Sequence, residues 1–449
     1  MGSQDIYVGL DIGTTSIKAI AAEVSAGQMH VIGVGSQRAD GLSRGVIVDI
    51  DKAAATVKAA LEQAARKASI SIERVVVGVP ASMLQIEQVS GMITVAETSK
   101  EITDEDVQRV AATALTRNLP PEREVLSISP DEFIVDGFDG IKDPRGMIGV
   151  RLEMKGLLFT SPKTVVHNIT RTVEKAGYKV AAFITDPQAL GKYVLSDGEQ
   201  DFGTIVVDLG GGQSTAAVIH DHKLKFTTED LEGGDLITHD ISVVLNTSFA
   251  DAERLKREYG NADSLAASEE QTFPVTVVGK QNPATISEKY LSEIIEARLT
   301  QIFERLDKSL KQVNALDLPG GIVVTGGDAA LPGVAQLASD IFGRDVKVFI
   351  PNEVGLRHPA FTLALALIND AASMTDVDIL VSSALNTPVN LPKGTSSQQT
   401  AAPVQQAAAD SQPQPAERSE QPAAPTKSED DSGKPKQSIF KKLFGTFFE

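Results

Sequence analysis

The sequence predicts an α/β protein built from two related half-domains that face each other across a ligand site. Three observations predict it: the segment DIGTTSIK at 11–18, the matching segment DLGGGQST at 208–215, and strand and helix patterns alternating through residues 5–370. Residues 6–24 read as an alternating strand, an Asp-x-Gly turn and a second strand, and 204–220 repeat that order. Asp11 then corresponds to Asp208, Gly13 to Gly210, and Lys18 to Thr215. The offset is far too long for a solenoid repeat, so two domains of similar core topology are expected.

The remaining elements follow in order. A third strand comes after each turn, at 29–37 and at 223–230. Helical patterns occupy 51–67 and 164–176 in the first half, and 252–259 and 287–312 in the second. The second half then returns to a buried strand with a double-glycine end, GGIVVTGG at 320–327, and a helix at 332–342. A short strand at 346–350 and a helix at 359–369 close it. One block interrupts the first half: strand patterns at 85–95, 124–135 and 147–159 surround a helix at 104–115. Thr103 before three acidic residues is an N-cap signal for that helix. The expected layout is a first core domain at 1–83, an inserted α+β subdomain at 84–163, and a return to the first core at 164–197. A second core domain at 198–230, a small subdomain at 231–312, and a return with the closing helix at 313–370 complete the body.

Composition changes after that. In 371–437 Ala, Gln, Pro, Ser and Thr dominate and aromatic residues are absent, so a disordered linker is expected. The final stretch, SIFKKLFGTFFE at 438–449, is abruptly apolar and basic. Coiled as a helix, it gathers Ile439, Phe440, Leu443, Phe444, Phe447 and Phe448 on one face, with Lys441 and Lys442 opposite. That is the pattern of a helix lying in an anionic membrane surface. Gly445 weakens it by up to ~1 kcal/mol, so folding on lipid is expected. Docking into a groove of the body or of a partner is the alternative.

Composition also excludes whole classes. The chain has no cysteine, which removes disulfides, thiolate metal sites and thiol catalysis. Its six histidines are scattered without HExxH-like spacing. A net charge of −18 argues against nucleic acid as a partner. No run of 18 apolar residues exists to span a membrane, and strand-like IYVGLDIG begins at residue 6 with no basic region before it, so no signal peptide is expected.

The two turns carry the chemistry. A strand that ends in Asp-x-Gly and reverses at once presents backbone N–H groups that can cradle an anion. Gly13, Gly210, Gly211 and Gly212 allow positive φ and close backbone approach to phosphate, with Gln213 in the same loop. Thr14, Thr15 and Thr215 add hydroxyl donors and Lys18 a positive charge. Asp11 and Asp208 suit Mg²⁺ held through its retained waters. One such loop alone is as readily an ordinary hairpin turn; two at corresponding points are not. A third element agrees: in VVTGGDAALPGV at 323–334, Gly326 and Gly327, followed by Asp328, lie between a strand and a helix, where backbone can pack flat on a base or ribose. The GxxxxGK[ST] phosphate loop is absent.

This ordered set of two phosphate loops and a TGG loop resembles the actin, sugar-kinase and heat-shock-ATPase superfamily. The resemblance implies an actin-like (ribonuclease-H-like) two-domain ATPase fold with ATP and Mg²⁺ as ligands. Two further segments sharpen it, LEGGDLITHDI at 231–241 and AERLKREYG at 252–260. It implies that Gly234 and Asp235 lie near the nucleotide and that Glu253 and Lys256 flank the adenosine. On pattern alone, 252–260 also reads as a solvated amphipathic helix.

With the insertion and the C-terminal helix, residues 5–370 and 438–449 resemble the FtsA family of bacterial cell-division proteins. The resemblance implies an ATP-binding adaptor that assembles into filaments with itself. It would tether the tubulin-like protein FtsZ to the inner face of the cell membrane at the division site. The FtsZ C-terminal peptide would dock on 231–312, and later division proteins on the insertion. Lys289, Arg298 and Arg305 on the long helix would offer a basic spot, although Glu288, Glu293 and Glu304 could pair with them. Asp186, in ITDPQALGKYVL at 184–195, occupies a position where chaperone relatives carry an acid before proline. It could orient an attacking water in a slow ATPase, or cap a helix that starts at Pro187. A small-molecule, sugar-type kinase is the alternative function, needing a carboxylate base that no motif singles out and leaving the C-terminal helix unexplained. A chaperone ATPase is a third option, but the tail is no peptide-binding β domain.

Overall fold

The computed structural model describes residues 5–95, 101–116, 119–385 and 389–392. Two five-stranded sheets share one plan. In the first, a meander of Asp5–Ile12, Ser16–Ser25 and Gln28–Arg38 lies antiparallel, and Arg74–Val79 and Lys179–Thr185 continue parallel on the other side of the leading strand. In the second, Thr204–Leu209, Ser214–His220 and Lys223–Asp230 form the meander, extended in parallel by Ile322–Thr325 and Val346–Val348. The parallel strands next to the leading strands, RVVVGV and IVVT, are runs of valine and isoleucine buried on both faces.

Helix Ile50–Ala68 shows why the first sheet is covered as it is. Asp49 caps it by accepting from the Asp51 and Lys52 amides. Its buried residues are mostly alanine, at helical spacing, and it packs on strand Gln28–Arg38 where Gly33 and Gly35 have no side chain. A Cβ at Gly35 would run into the Ala60 carbonyl, so helix and strand meet backbone to backbone. Helices Asp186–Val194 and Thr362–Ser373 pack together, and Lys192 on the first reaches fully buried Asp370 on the second at 2.5 Å.

The insertion is a four-stranded antiparallel sheet, ordered Gln85–Thr94, Arg151–Pro162, Arg123–Val135 and Phe138–Ile141, with helix Asp104–Ala114 against it. Thr103 is the N-cap expected there, and with Asp106 it forms a capping box. The segment 231–312 folds as helices Gly234–Leu245, Phe249–Tyr259 and Glu288–Gln312 and a short hairpin. Its Ile237, Ile241, Leu255, Leu291 and Ile295 join the same apolar cluster as Ile205, Val207 and Val324, so it shares its core with the second domain.

The expected linker boundary at 371 needs correction. Helix Thr362–Ser373 runs past it, and a further helix, Asp376–Ser382, follows with its own Thr375–Asp378 capping box. Val377, Val381 and Leu385 bury into the core of the inserted subdomain beside Val107, Val110 and Phe133. Average composition over 371–437 hid this short aliphatic segment, DVDILV. The remainder of the expected linker from 393, and the expected membrane helix at 438–449, lie outside the described residues.

Candidate functional site

Between the two half-domains lies a cleft of about 590 Å³, a volume ordinary for a small-molecule site. Asp11, Gly13, Thr14, Thr15 and Lys18 line it from one side; Asp208, Gly210, Gly211, Gly212 and Gln213 line it from the other. Asp235, Glu253, Lys256, Gly326, Gly327, Asp328 and Asp186 complete the predicted set. Thr215 and Gly234 stand back from it. Thr215 is a buried strand residue paired between Asp208 and Glu229. Gly234 is buried under the Asp328 carboxylate, and its amide donates to the Gly210 carbonyl at 3.0 Å.

The glycines act through space rather than through φ. Among the described residues, none of Gly13, Gly210, Gly211 and Gly212 has a positive φ. A Cβ on Gly211 would be driven into Thr15 Oγ1, and one on Gly212 into the Thr14 side chain. The two loops therefore touch, and Gly211 and Gly212 of the second make room for the threonines of the first. Thr15 Oγ1 also donates to Asp235 Oδ1 at 3.3 Å, and the Gly45 amide donates to Thr14 Oγ1 at 2.8 Å. Gly326 is constrained twice: its φ is +93°, and a Cβ would meet Asp208 Oδ1 and the Leu209 carbonyl.

Strand register sets the electrostatics of the floor. Asp11 lies directly opposite Lys18, so Lys18 Nζ reaches Asp11 Oδ2 at 2.9 Å in a buried ion pair. Asp208 lies opposite Thr215, which offers no charge. Burial, then the nearby Asp11, push the Asp208 carboxyl up to about 6, with Lys18 offsetting part of the rise. Asp186 is driven well above the usual carboxylate range by burial and by Asp11 and Asp208. It is not the helix cap: the N-cap position is Thr185, and Asp186 opens the helix with Oδ1 buried and without a hydrogen-bond partner. Among the described residues no three acids or histidines stand close enough to hold a metal ion directly, so Asp11 and Asp208 fit a divalent cation only through waters it retains, where its charge would favour their ionised forms.

At the other end, Lys256 is nearly inaccessible. Its Nζ lies 3.1 Å from Glu253 Oε2 and 3.0 Å from Asp328 Oδ1, and it donates to the Gly234 carbonyl at 3.0 Å. Burial opposes its charge, but Asp328 and Glu253 hold its pKa above the ordinary value. The exposed-helix reading of 252–260 thus fails for this face: Ala252, Leu255 and Lys256 are buried. Arg257, in the 252–260 segment but not singled out there, and His358, Pro359 and Ala360, unmarked by any motif, also line the cleft.

The expected basic spot on the long helix is already neutralised. Arg298 donates to Asp240 at 2.6 and 3.0 Å and to Glu232 at 2.7 Å. Arg305 pairs with Asp230 and Glu232, and Lys289 with Glu269. These partners come from neighbouring segments rather than from the helical neighbours Glu288, Glu293 and Glu304.

Comparison with known proteins now adds a lineage to this geometry. A family model described as "Cell division protein FtsA" matches residues 205–366, and one described as "SHS2 domain inserted in FTSA" matches 81–160. A cell division protein FtsA of Enterococcus hirae is 55% identical over 377 residues, covering 84% of this chain and 85% of the relative. The chain belongs to the FtsA family. The FtsA of Bacillus subtilis (strain 168) is 40% identical over 371 residues, covering 83% and 84%, and that of Escherichia coli (strain K12) 31% over 378, covering 81% and 90%. Among solved structures, a PilM-PilN type IV pilus biogenesis complex aligns with a TM-score of 0.56 at 17% identity, over 80% of this chain and 97% of that one. MreB5 of Spiroplasma citri bound to ADP aligns at 0.52 and 13%, over 82% and 95%. The fold of this FtsA-family member is actin-like, with the SHS2 subdomain inserted. Among the described residues no helix is long and apolar enough to cross a membrane.

Proposed function

We propose that this cell-division protein binds ATP with Mg²⁺ in the cleft, assembles with itself, and tethers FtsZ to the inner face of the membrane at the division site. The observation that carries the nucleotide reading is the floor of the cleft. Two glycine-rich turns from opposite half-domains meet there over Asp11, Asp186 and Asp208, with Lys18 between them as the cation. Asp11 and Asp208 would hold the metal through water, and the turns would take the phosphates. Gly326, Gly327 and the Glu253–Lys256–Asp328 network would support the adenosine. The ADP-bound state of MreB5 supports the same use of the fold. Asp186, unpartnered and facing the cleft, is the residue suited to orient a water for slow hydrolysis.

The tether reading rests on the sequence of the C-terminal segment 438–449, whose six apolar residues would share one face, with lysines opposite, if it coils as a helix. A single copy would bind lipid weakly, and assembly would strengthen attachment by avidity. FtsZ would dock on 231–312, later division proteins on the insertion. Because Lys289, Arg298 and Arg305 are paired internally, an acidic peptide would have to displace Glu232 or Glu269 to use them. The test is co-sedimentation of the full chain with anionic vesicles, against a truncation ending before Ser438, with and without Mg·ATP. The full chain is expected to pellet, more so with ATP; equal pelleting of the two chains would sink the tether.

A further inference from the structure

The strand Arg74–Val79 does not run straight into the insertion. The chain first turns a corner through Ser82 and Met83, and that corner touches three parts of the molecule at once. Ser82 is buried, with Oγ 2.9 Å from Glu229 Oε2 and 3.2 Å from Gln213 Oε1. Gln213 belongs to the second phosphate loop, and Glu229 lies across the sheet from Thr215. Met83 holds a φ of +57° although its side chain is exposed, so its own packing does not reward the strained backbone. Its amide donates to Glu229, and its carbonyl accepts from Arg123 at 2.9 Å. Arg123 is itself buried and grips Thr160 through Nε to Oγ1 at 3.0 Å and through Nη2 to the carbonyl at 2.6 Å. Arg123 and Thr160 stand at the roots of the two central strands of the inserted sheet. A second link, Lys223 to Asp131 at 2.6 Å, joins the Glu229 strand to the same subdomain.

We propose that the Ser82–Met83 corner is a relay through which occupancy of the second phosphate loop sets the orientation of the inserted subdomain. A polyphosphate accepts from the Gln213 side-chain NH2, and an amide that turns to meet it withdraws its Oε1 from the Ser82 hydroxyl that donates to it. Ser82 and Met83 then reseat on Glu229 alone, and Arg123 carries the movement of the Met83 carbonyl to the subdomain root. Burial raises the proton affinity of Glu229, so this carboxylate depends on its Ser82 and Met83 donors and follows them. The coupling is energetic only if the contacts differ between the two states, and the Ser82–Gln213 bond, made in one and broken in the other, supplies that difference. The relay rests on the nucleotide reading of the cleft.

The test is hydrogen exchange of the full chain with and without Mg·ATP, alongside a direct ATP titration. In the wild type, ATP is expected to alter exchange both at 208–215 and at 123–162. Ser82→Ala is expected to bind ATP within about threefold of wild type and keep the response at 208–215. Its response at 123–162 should fall about fivefold or more, the lower end of ordinary coupling strengths. Glu229→Gln, which keeps the side-chain shape, should uncouple in the same way and decides the matter if the serine variant folds poorly. An unaltered response at 123–162 in a variant that binds ATP overturns the relay and leaves the nucleotide reading intact. So does a wild type that responds at 208–215 alone. A wild type that binds no ATP overturns both.

Discussion

The two glycine-rich turns are built on the same hairpin and differ in what faces the leading aspartate. In the first, Asp11 faces Lys18 and is neutralised by its own sheet. In the second, Asp208 faces Thr215, and its carboxyl is pushed up to about 6 by burial and by Asp11 across the cleft. Equivalent topology therefore produces one acid that is paired in advance and one that responds to what enters. The first turn is an anchor; the second is the place where a ligand changes the balance of charge.

Breaking the anchor should have the largest effect. Lys18→Met leaves Asp11 in a buried site without its cation and should cost ~3–5 kcal/mol of stability at neutral pH, read by denaturant unfolding. The double variant Asp11→Asn with Lys18→Met should recover most of that loss, because no charge is left stranded. If the double variant is as unstable as the single one, the pair is not what separates the two turns.

The parallel strands beside the turns come next. Gly326→Val forces a branched side chain onto a +93° φ and into the Leu209 backbone, at a cost of ~3 kcal/mol or more. At Gly78, on the parallel strand beside the first turn, a Cβ would meet only the Asp186 and Leu367 side chains. Gly78→Ala should cost ~1–2 kcal/mol. Thermal unfolding of the two variants checks the order.

Asp208 itself carries a pH signature. Its folded value lies above the unfolded one, so its favourable contribution is complete below about pH 4 and is lost as pH rises through about 6. Asp208→Asn should therefore stabilise the fold by ~1–3 kcal/mol at pH 7–8, with the gain fading toward pH 4. The same variant should weaken Mg·ATP binding about tenfold or more. A melting-temperature series against pH separates the two effects. The smallest change is expected from Thr15→Ala, which removes one 3.3 Å bond to Asp235 across the cleft and should cost ~0.5 kcal/mol.

Much of this was legible in the sequence because it is local. The hairpins around Asp11 and Asp208 announce themselves by alternation and an Asp-x-Gly turn, and the Thr103 cap by its spacing to Asp106. The TGG loop was found after its buried strand, while the equivalent RVVVGVP run at 74–80 was not, since Gly78 lacks a doubled glycine beside it. What stayed hidden depends on register or on distant partners. No motif says that Glu229 faces Thr215, that Ser82 reaches Gln213 and Glu229 of the second half, or that Asp230, Glu232 and Asp240 would claim the arginines of the long helix. Positive φ is the wrong reason for the phosphate-loop glycines: the crowding at Gly211 and Gly212 comes from Thr15 and Thr14, nearly two hundred residues away in sequence.

Helix Asp376–Ser382 has a consequence for how the chain is made. Its Val377 and Val381, with Leu385, close the apolar core of a subdomain whose strands and helix were synthesised long before, at 85–162. On the ribosome that subdomain must wait, one face open, while the whole second domain is translated. A fragment cut to the matched residues 81–160 would carry the same open face permanently, and any graft of the subdomain into another relative has to bring this late helix with it.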